Sequence, residues 1–213
     1  MEPGTRRPEA GRSARKRSAI LEAAAAVFLQ QGYLGTSMDE IAARAAVSKQ
    51  TVYKHFADKE RLFTEVLLGT IGRLHDAFHE VTRILEDTDD LEADLRKLGR
   101  RLVAMITQPR VLQLRRIVIG EAERFPDVAR IWYERGPELT AATLGSHFSG
   151  LARRGLLRIE DPLLAGHLFI WLVLSIPLNK LMFCGPENPF TEAELDRFAD
   201  EGVRVFLAAY GTG

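Results

Sequence analysis

Several features on which whole protein classes depend are rare or absent in this chain. Cys184 is the only cysteine, so an intramolecular disulfide is excluded and a reducing compartment is expected. The sequence has no Cys/His cluster with zinc-ligand spacing, no P-loop, no GxSxG or HExxH motif, and no Cys-His pair that would indicate catalysis. We therefore expect no metal and no cofactor, and an enzyme is the weaker hypothesis.

Long apolar segments are also missing. Residues 1–17 contain no apolar stretch of the kind found in a secretory signal and are predicted to form a flexible basic arm. Residues 163–182 are the most hydrophobic stretch, but His167 and Pro177 interrupt it. Its unbroken apolar part, residues 168–174, is far shorter than the ~20 residues that a bilayer requires. This predicts a cytoplasmic protein with no membrane partner, in which residues 163–182 form a buried or interface helix.

The formal net charge is zero, with 29 Lys and Arg against 29 Asp and Glu, which by itself gives no indication of a nucleic-acid partner. The charge is unevenly distributed, however. Residues 1–64 hold eleven Lys and Arg against seven Asp and Glu, an excess of +4, which leaves −4 on the remainder. Positive charge at one end of a mildly acidic chain is a sensible distribution for a DNA-binding protein of two parts.

The chain is predicted to be all-α. Its 213 residues and 46% hydrophobic content are sufficient for a buried core in one large or two small domains. Apolar residues recur at helical spacing, and no alternating pattern typical of strands stands out. Breaks rich in proline, glycine and acidic residues separate the helices of the second part, and Gly136-Pro137 is expected to kink or split one of them. The predicted helices of that part span residues 58–84, 91–107, 109–124, 127–155, 162–183 and 191–210.

Residues 36–63 contain two short amphipathic helices joined by a turn. Ser37 is the predicted N-cap of the first helix and forms a capping box with Glu40, and Ser48 is the predicted N-cap of the second. Val47 is the apolar residue of the turn. The outward face of the second helix presents polar, basic and aromatic side chains that can reach bases or phosphates: Lys49, Gln50, Tyr53 and Lys54. Such a helix pair can enter the major groove of DNA.

The helix pair lies in a longer pattern: Ala24, Phe28, Gly32-Tyr33, Thr36-Ser37-Met38, Ile41-Ala42, Ala45, Val47-Ser48, Thr51-Val52-Tyr53, Phe56, Lys59-Glu60 and Leu62-Phe63. Over residues 18–63 this pattern closely resembles the amino-terminal domain of the tetracycline-repressor (TetR) family of bacterial transcription regulators. Ala46 departs from it, since the family usually has Gly there. If position 46 needs a positive φ, Ala costs on the order of 1 kcal/mol relative to Gly; a different turn geometry is the alternative.

Residues 117–159 show a softer resemblance to the ligand-binding half of TetR relatives that control multidrug efflux. Together the resemblances imply a three-helix helix-turn-helix DNA-binding domain, residues 18–63, after the basic arm, and a C-terminal helical domain, residues 64–213, for effector binding and dimerisation. They imply a homodimer that reads a palindromic operator in double-stranded DNA and that a small molecule releases, with repression as the family default.

Family positions and residue chemistry together assign the DNA contacts. The residues expected to contact base edges are Lys49, Gln50 and Tyr53. The residues expected to contact phosphates are Ser37, Ser48, Thr51, Lys54, His55 and Lys59. For His55 a bond to neighbouring backbone is the alternative. The basic segment from Arg12 to Arg17 either adds non-specific or minor-groove contacts or is a solvated tail.

Aromatic and polar residues on the apolar helices of the second part are candidates for the lining of a pocket for an apolar or cationic effector. They are Arg115, Trp132, Tyr133, Phe148, His167, Trp171, Met182 and Cys184. Two apolar stripes are candidates for the dimer interface: Leu163, His167, Ile170, Leu174 and Leu178 on one helix, and Leu195, Phe198, Gly202, Val205 and Phe206 on the next. For both sets, burial in the core of one chain is the alternative.

Three hypotheses of function follow. The first is a transcription regulator that a small molecule releases from DNA, which requires a coupling free energy of roughly 1 to 3 kcal/mol between the two sites. The second is a constitutive DNA-binding dimer without an effector, because a filled core and an open pocket have the same composition. The third, the least favoured, is an enzyme that uses the C-terminal helices.

Overall fold

The computed structural model describes residues 7–184 and 189–212, with side chains from residue 11 onward. Within these ranges the regular structure is helical, and an isolated bridge between Leu157 and Gly211 is the only β feature. The all-α prediction is confirmed. The helices are α1 (Arg7–Gly35), α2 (Met38–Arg44), α3 (Lys49–His55), α4 (Lys59–Thr82), α5 (Leu91–Ile106), α6 (Pro109–Gly120), α7 (Pro126–Tyr133), α8 (Leu139–Arg153), α9 (Pro162–Phe183) and α10 (Glu192–Tyr210).

The chain divides into two compact units, with the boundary between Thr70 and Ile71. Unit 1 holds α1 to α3 and the first half of α4, and unit 2 holds the remainder. The boundary predicted from the sequence lies seven residues earlier, after Phe63. The difference arises because α4 continues from Lys59 to Thr82 without a break, so no change of sequence pattern marks the end of unit 1.

Helix α1 begins earlier than the sequence pattern indicates. The structure places residues 7–17 in this helix, where a flexible arm is predicted. Arg17 explains part of the difference: its guanidinium pairs with Glu65 at 2.8 Å and lies 5.3 Å from the centre of the Phe56 ring. These contacts give the helix partners before its apolar positions begin. Residues 1–6 of the predicted arm lie outside the described ranges.

An aromatic cluster lies in the buried core of unit 1. The ring centres of Phe28 and Phe63 are 4.9 Å apart, and those of Tyr33 and Phe63 are 5.2 Å apart, both in edge-to-face geometry. Gly32 has a φ of +72°, which glycine adopts without steric strain, and it interrupts α1 just before Tyr33. Thr36 then donates to the Gly32 carbonyl at 2.7 Å. The chain is thereby turned toward α2 at a fixed point.

Unit 2 is built around α9, which packs against α8, α10 and α5. Phe148, Phe169 and Phe206 are fully buried, with ring centres 5.0 to 5.7 Å apart. Helices α8 and α9 approach very closely, since a Cβ on Gly166 would lie only 2.3 Å from the carbonyl oxygen of Ala141. Glycine is therefore required at this crossing.

The helix predicted over residues 127–155 is divided in the structure. Helix α7 ends at Tyr133, a π-helical turn spans Glu134–Glu138, and α8 follows. The predicted split at Gly136-Pro137 is confirmed, because proline removes a backbone donor inside this turn. The predicted capping box of the last helix is also confirmed: Thr191 accepts from the amide of Glu194, and the Glu194 carboxylate accepts from the amide of Thr191.

Helix α9 is the one helix in the described ranges that is long and apolar enough to cross a membrane, with a mean hydropathy of 1.6. The core helix of a soluble protein meets the same criteria. Nine of its residues are buried within unit 2. This burial agrees with the prediction of a buried or interface helix.

Candidate DNA-binding surface and ligand cavity

Local hydrogen bonds fix the helix pair of unit 1. Ser37 accepts from the amide of Glu40 at 3.2 Å, and Ser48 accepts from the amide of Thr51 at 3.1 Å, so both predicted N-caps are present. The capping box predicted for Ser37 is only half formed, because the Glu40 carboxylate bonds to Gln31 instead. Because each cap satisfies an amide in the first turn of its helix, α2 and α3 start at defined residues.

The turn between α2 and α3 uses a left-handed residue. Ala46 has a φ of +52°, the one positive φ of a non-glycine residue in the described ranges. The amide of Val47 then donates to the carbonyl of Ala42 at 3.1 Å. Ile41 and Val52 are fully buried between the helices. Position 46 thus has the positive φ that glycine adopts without steric cost, and Ala46 accepts the strain that glycine would avoid.

Helix α3 exposes the residues assigned to base contacts. Lys49, Gln50 and Tyr53 are exposed, as is Lys54, whereas Val52 faces the core. The exposed side chains lie on one face of a short helix that begins at a capped serine. This face offers donors, an amide and an aromatic ring to a groove of DNA.

Asp39 of α2 contacts this face, which the sequence did not predict. Its carboxylate lies 2.8 Å from the ammonium group of Lys49. The hydrogen bond to Asp39 is the main cause of the raised pKa of Lys49, and both side chains are exposed. The two residues are ten positions apart on different helices, so helical spacing could not have paired them.

The residues assigned to phosphates are in different environments. Lys54 is exposed, whereas Thr51 and His55 are half-buried. The hydroxyls of Ser48 and Thr51 bond to each other at 2.8 Å, and the His55 ring centre is 6.3 Å from that of Phe56. The exposed Ser37 and Ser48 serve as N-caps, which leaves hydroxyl lone pairs and protons at the surface.

Lys59 has a structural role where the sequence predicted a phosphate contact. Its ammonium group donates to the carbonyl oxygens of Tyr33 at 2.8 Å and Thr36 at 2.9 Å. It also lies 4.6 Å from the centre of the Tyr33 ring. Lys59 is half-buried and ties the start of α4 to the segment between α1 and α2. This role could not be predicted from the sequence, because every residue has a backbone carbonyl and residue types do not show which carbonyls Lys59 contacts.

Unit 2 contains an apolar cavity with a volume of about 760 Å³, part of it open to solvent. Its lining comes from α4 to α9 and the π-helical turn: Ile71, Leu74, His75, Phe78, Leu102, Met105, Ile106, Val111, Arg115, Trp132, Arg135, Gly136, Pro137, Thr140, Ile170, Trp171, Leu174 and Leu178. A mostly apolar lining with a few polar groups is typical of small-molecule sites.

Three of the eight predicted pocket residues line this cavity: Arg115, Trp132 and Trp171. The other five do not. Tyr133 and Cys184 are exposed, and Phe148 is fully buried in the core. His167 lies 3.6 Å from Glu138, and Met182 packs at the edge of the core. Sequence reasoning missed the contributions of α4 and α5, whose apolar residues also suit an ordinary core.

Two polar groups of the cavity stand out. Arg115 is half-buried, and burial lowers the pKa of its guanidinium below the usual value. The Nδ1 atom of His75 is buried without a hydrogen-bond partner within the described part of the chain. Buried polar atoms normally have a partner, so this atom is an exception that calls for a bound molecule or water.

The stripes predicted as a dimer interface are largely core, which corrects that prediction. Five of their members are buried: Ile170, Leu174, Leu178, Gly202 and Phe206. His167, Leu195 and Phe198 are half-buried, and only Leu163 and Val205 are exposed. The correction follows from the close contact of α9 with α10, since a Cβ on Gly202 would lie 2.7 Å from the Leu172 carbonyl oxygen.

A different face of α9 is apolar and exposed. Its exposed residues are Leu164, Leu168, Trp171, Ile176 and Phe183, with exposures of 40% to 85%. They lie at roughly helical spacing on the side of α9 that the core leaves open. Val205 of α10 is exposed in the same groove as Leu168 and Ile176.

A helical protein with a capped helix-turn-helix pair in one unit and a separate helical unit has the organisation of a DNA-binding transcription regulator. Comparison with known proteins gives the family. Residues 20–66 match the description of bacterial regulatory proteins of the tetR family, and residues 93–212 match the C-terminal domain of AefR-like transcriptional repressors. The chain therefore belongs to the TetR family.

Solved structures resemble more than nine-tenths of the chain. A protein described as a TetR-family transcriptional regulator from Mesorhizobium loti MAFF303099 is 46% identical, with a TM-score of 0.90, over 94% of this chain and 99% of that one. The Flavonoid-responsive Regulator FrrA is 32% identical, with a TM-score of 0.73, over 93% of this chain and 98% of that one.

The similarity to curated proteins is more local. The HTH-type transcriptional repressor Rv3405c of Mycobacterium tuberculosis (strain ATCC 25618 / H37Rv) is 35% identical over 120 residues, which are 54% of this chain and 55% of that protein. The chain thus spans about half the length of this curated relative. The family and these relatives are transcription regulators and not enzymes, which agrees with the sequence-based preference against catalysis.

Proposed function

We propose that this protein is a cytoplasmic repressor that binds a palindromic operator as a homodimer and leaves it when a small molecule occupies the cavity of unit 2. The single observation that carries the DNA-binding part is the exposed polar face of α3, a helix whose N-terminus is capped by Ser48. The proposal divides the chain into a DNA-binding unit that ends near Thr70 and an effector and dimerisation unit after it. The names of two relatives support the rest, since Rv3405c is called a repressor and FrrA is called flavonoid-responsive.

On the DNA, Lys49, Gln50 and Tyr53 contact base edges. Lys can donate to guanine O6 and N7, Gln can pair with adenine, and the Tyr ring can pack on a thymine methyl group. Lys54, at the next position of the exposed face, contacts phosphates together with Ser37, Ser48, Thr51 and His55. Arg12 and the other exposed cations of α1 add contacts that depend little on sequence.

The experiment for this part is selection of bound sequences from a random DNA pool with the full chain. A palindromic motif is expected, because one short helix contacts too few base pairs to define an operator. Tyr53→Ala should relax the motif at one or two positions of each half-site. Tyr133→Ala is a matched control, since Tyr53 and Tyr133 are 45% and 52% exposed in different units. Failure to enrich any motif would contradict the proposal.

The homodimer uses the exposed face of α9. Five large apolar side chains exposed on one helix form a patch that monomeric soluble proteins rarely leave open. Two copies of this face, with Val205 and the half-buried Phe198 of α10 beside it, would cover the patch in a four-helix interface. The distance between the α3 helices of the two protomers would then set the spacing of the operator half-sites.

The dimer is tested by Ile176→Glu, with Ile119→Glu as its control. The two isoleucines are 59% and 57% exposed, but only Ile176 lies on the α9 face. Light scattering on a sizing column should show a monomer for Ile176→Glu and a dimer for the control. An unchanged dimer in Ile176→Glu would remove this face from the proposal.

The cavity is the proposed effector site. Its walls are mostly apolar with a few polar groups, the composition expected of a small-molecule site. A ligand releases the protein from DNA only if it binds the free conformation more tightly than the DNA-bound one. Binding of the selected operator should therefore weaken when a cavity ligand is added. If every cavity ligand leaves operator affinity unchanged, the constitutive dimer is the better description.

A further inference from the structure

The charge of the cavity lining indicates what kind of molecule the cavity holds. Arg115, Arg135 and His75 line it, and none of the described lining residues is Asp or Glu. Of the two kinds of effector expected from the sequence, apolar or cationic, a cationic one would meet only like charge and neutral groups here. The lining therefore favours a ligand that carries the opposite charge.

Arg115 lacks an internal counter-charge. The next residue, Arg116, donates to the carbonyl oxygens of Leu181 and Met182, so its guanidinium is bound by the end of α9. For Arg115 the described residues supply no hydrogen bond or carboxylate partner, and burial is the sole cause of its lowered pKa. A half-buried cation without a partner is costly, because it loses hydration without gaining a compensating charge.

His75 adds a directional group to the same cavity. Its Nδ1 atom is buried and has no partner in the described structure. A neutral imidazole can donate from this nitrogen to an anionic oxygen, and a protonated one always does. Around these two residues the lining consists mainly of aromatic and aliphatic side chains, including Phe78, Trp132 and Trp171.

We propose that the effector is an amphipathic organic acid, bound as its anion, with the acidic group paired to Arg115 and hydrogen-bonded to His75 and with an apolar body against the tryptophans. The proposal rests on the effector role proposed above for this cavity. It names the charge of the ligand, which the family and the relatives do not supply. A carboxylate or an ionised phenol would both satisfy the guanidinium.

The experiment measures binding to the full-length protein without DNA. Trp132 and Trp171 are the only two tryptophans of the chain and both line the cavity, so tryptophan fluorescence reports its occupation. The probes are decanoate, 1-decanol and decyltrimethylammonium, and 2-naphthoate with 2-naphthalenemethanol and 2-naphthylmethylammonium, all below micellar concentrations. We expect one or both anions to bind about tenfold to a hundredfold more tightly than their neutral and cationic analogues.

Variants locate the anion. Arg115→Met keeps most of the apolar volume and should remove the preference for the anion over the alcohol. Arg110→Met on the same helix is the control, because Arg110 is exposed and does not line the cavity. Arg115→Lys retains the charge and should retain a preference for the anion, which guards against a folding defect in Arg115→Met. His75→Leu should weaken anion binding and leave alcohol binding unchanged.

Equal binding of the three members of both probe series, tighter binding of the cation or alcohol, or an anion preference that survives Arg115→Met would overturn the proposal. Operator binding is then measured separately in the presence of each probe. If an anion binds through Arg115 but does not release DNA, the effector function fails while the anion site stands. If neutral or cationic probes release DNA as well as the anions do, the effector function stands and the anion assignment fails.

Discussion

Two basic side chains, one in each unit, are held in opposite electrostatic environments. Lys49 is exposed on α3, and Asp39 at 2.8 Å raises its pKa chiefly through a hydrogen bond. Arg115 is half-buried in the cavity, and burial without a carboxylate partner lowers its pKa. If Lys49 contacts DNA as proposed, DNA must compete with Asp39 for it, whereas the proposed anionic ligand would give Arg115 its first counter-charge. Lys49 thus has a counter-charge within the chain, and Arg115 has none among the described residues.

Unit 1 presents its candidate DNA contacts as exposed side chains, whereas the candidate ligand site of unit 2 is enclosed by packed helices. In the enclosed unit, packing should be least tolerant where helices touch. Gly166→Ala should destabilise unit 2 by about 3 kcal/mol, because the new Cβ would meet the Ala141 carbonyl at 2.3 Å and backbone cannot move aside cheaply. Chemical denaturation of the full chain measures this change.

Gly72→Ala is the control for that substitution. Gly72 lies within α4, and a Cβ added there would meet no neighbouring atom within 4 Å, so alanine should stabilise the helix by roughly 0.5 to 1 kcal/mol. If both alanine substitutions changed the free energy of unfolding equally, close contact between α8 and α9 would not explain the effect at Gly166.

A second prediction concerns lysines that the sequence treats alike in unit 1. Lys59→Met should lower stability by about 2 kcal/mol, because the carbonyls of Tyr33 and Thr36 lose a charged donor. Lys54→Met, at an exposed position, should leave the melting temperature unchanged, weaken binding to all DNA sequences and lower the salt slope by about one. If Lys54→Met lowered the stability of the protein, or Lys59→Met left it unchanged, the structural role assigned to Lys59 and the DNA-contacting role assigned to Lys54 would be contradicted.

The strained turn before α3 contains Ala46 and can be relaxed by glycine. Ala46→Gly should stabilise unit 1 by about 1 kcal/mol, since the residue has a φ of +52° and glycine adopts this without steric cost. The expected sign is the reverse of most alanine-to-glycine changes. Ala43→Gly, on the exposed face of α2, should destabilise and is the control. Thermal unfolding of the three proteins compares them.

The smallest effect is expected at the carboxylate that balances Lys49. Asp39→Asn should leave folding stability nearly unchanged, lower the pKa of Lys49 toward its usual value and tighten DNA binding at low salt. Asp76→Asn, an exposed acid in unit 2, should not change DNA affinity. Weaker operator binding by Asp39→Asn would instead show that the Asp39 contact positions Lys49 on its base.

Local sequence patterns predicted the helix starts because an N-cap and its target amide lie three residues apart. Ser48 and Thr191 were found in this way, and the structure confirms both. The exposed face of α3 could also be predicted from a local pattern, since Val52 and Phe56 lie four residues apart on the buried side. The contacts of Lys59 within unit 1 could not be predicted, because its partners are carbonyl oxygens 23 and 26 residues away.

The second unit was harder to predict for a different physical reason. Helix α9 is apolar on almost every side, so its sequence period does not tell which face meets the core. Ile170 and Leu174 were assigned to an interface and are buried, whereas Leu168 and Ile176 are exposed. The cavity also takes His75 from α4, and only the folded chain brings that helix beside α6 and α9.

The glycine crossing of α8 and α9 has a mechanical consequence. A Cβ at Gly145 would lie 2.8 Å from the carbonyl oxygen of Pro162, and one at Gly166 would lie 2.3 Å from that of Ala141, so the two backbones touch at two points. Two helices in contact at two points cannot slide or rotate past each other without lifting apart. We therefore expect helices α8 and α9 to move as one rigid body. A change in the width of the cavity would then require movement of α4, α5, α6 or α7, which form its other walls.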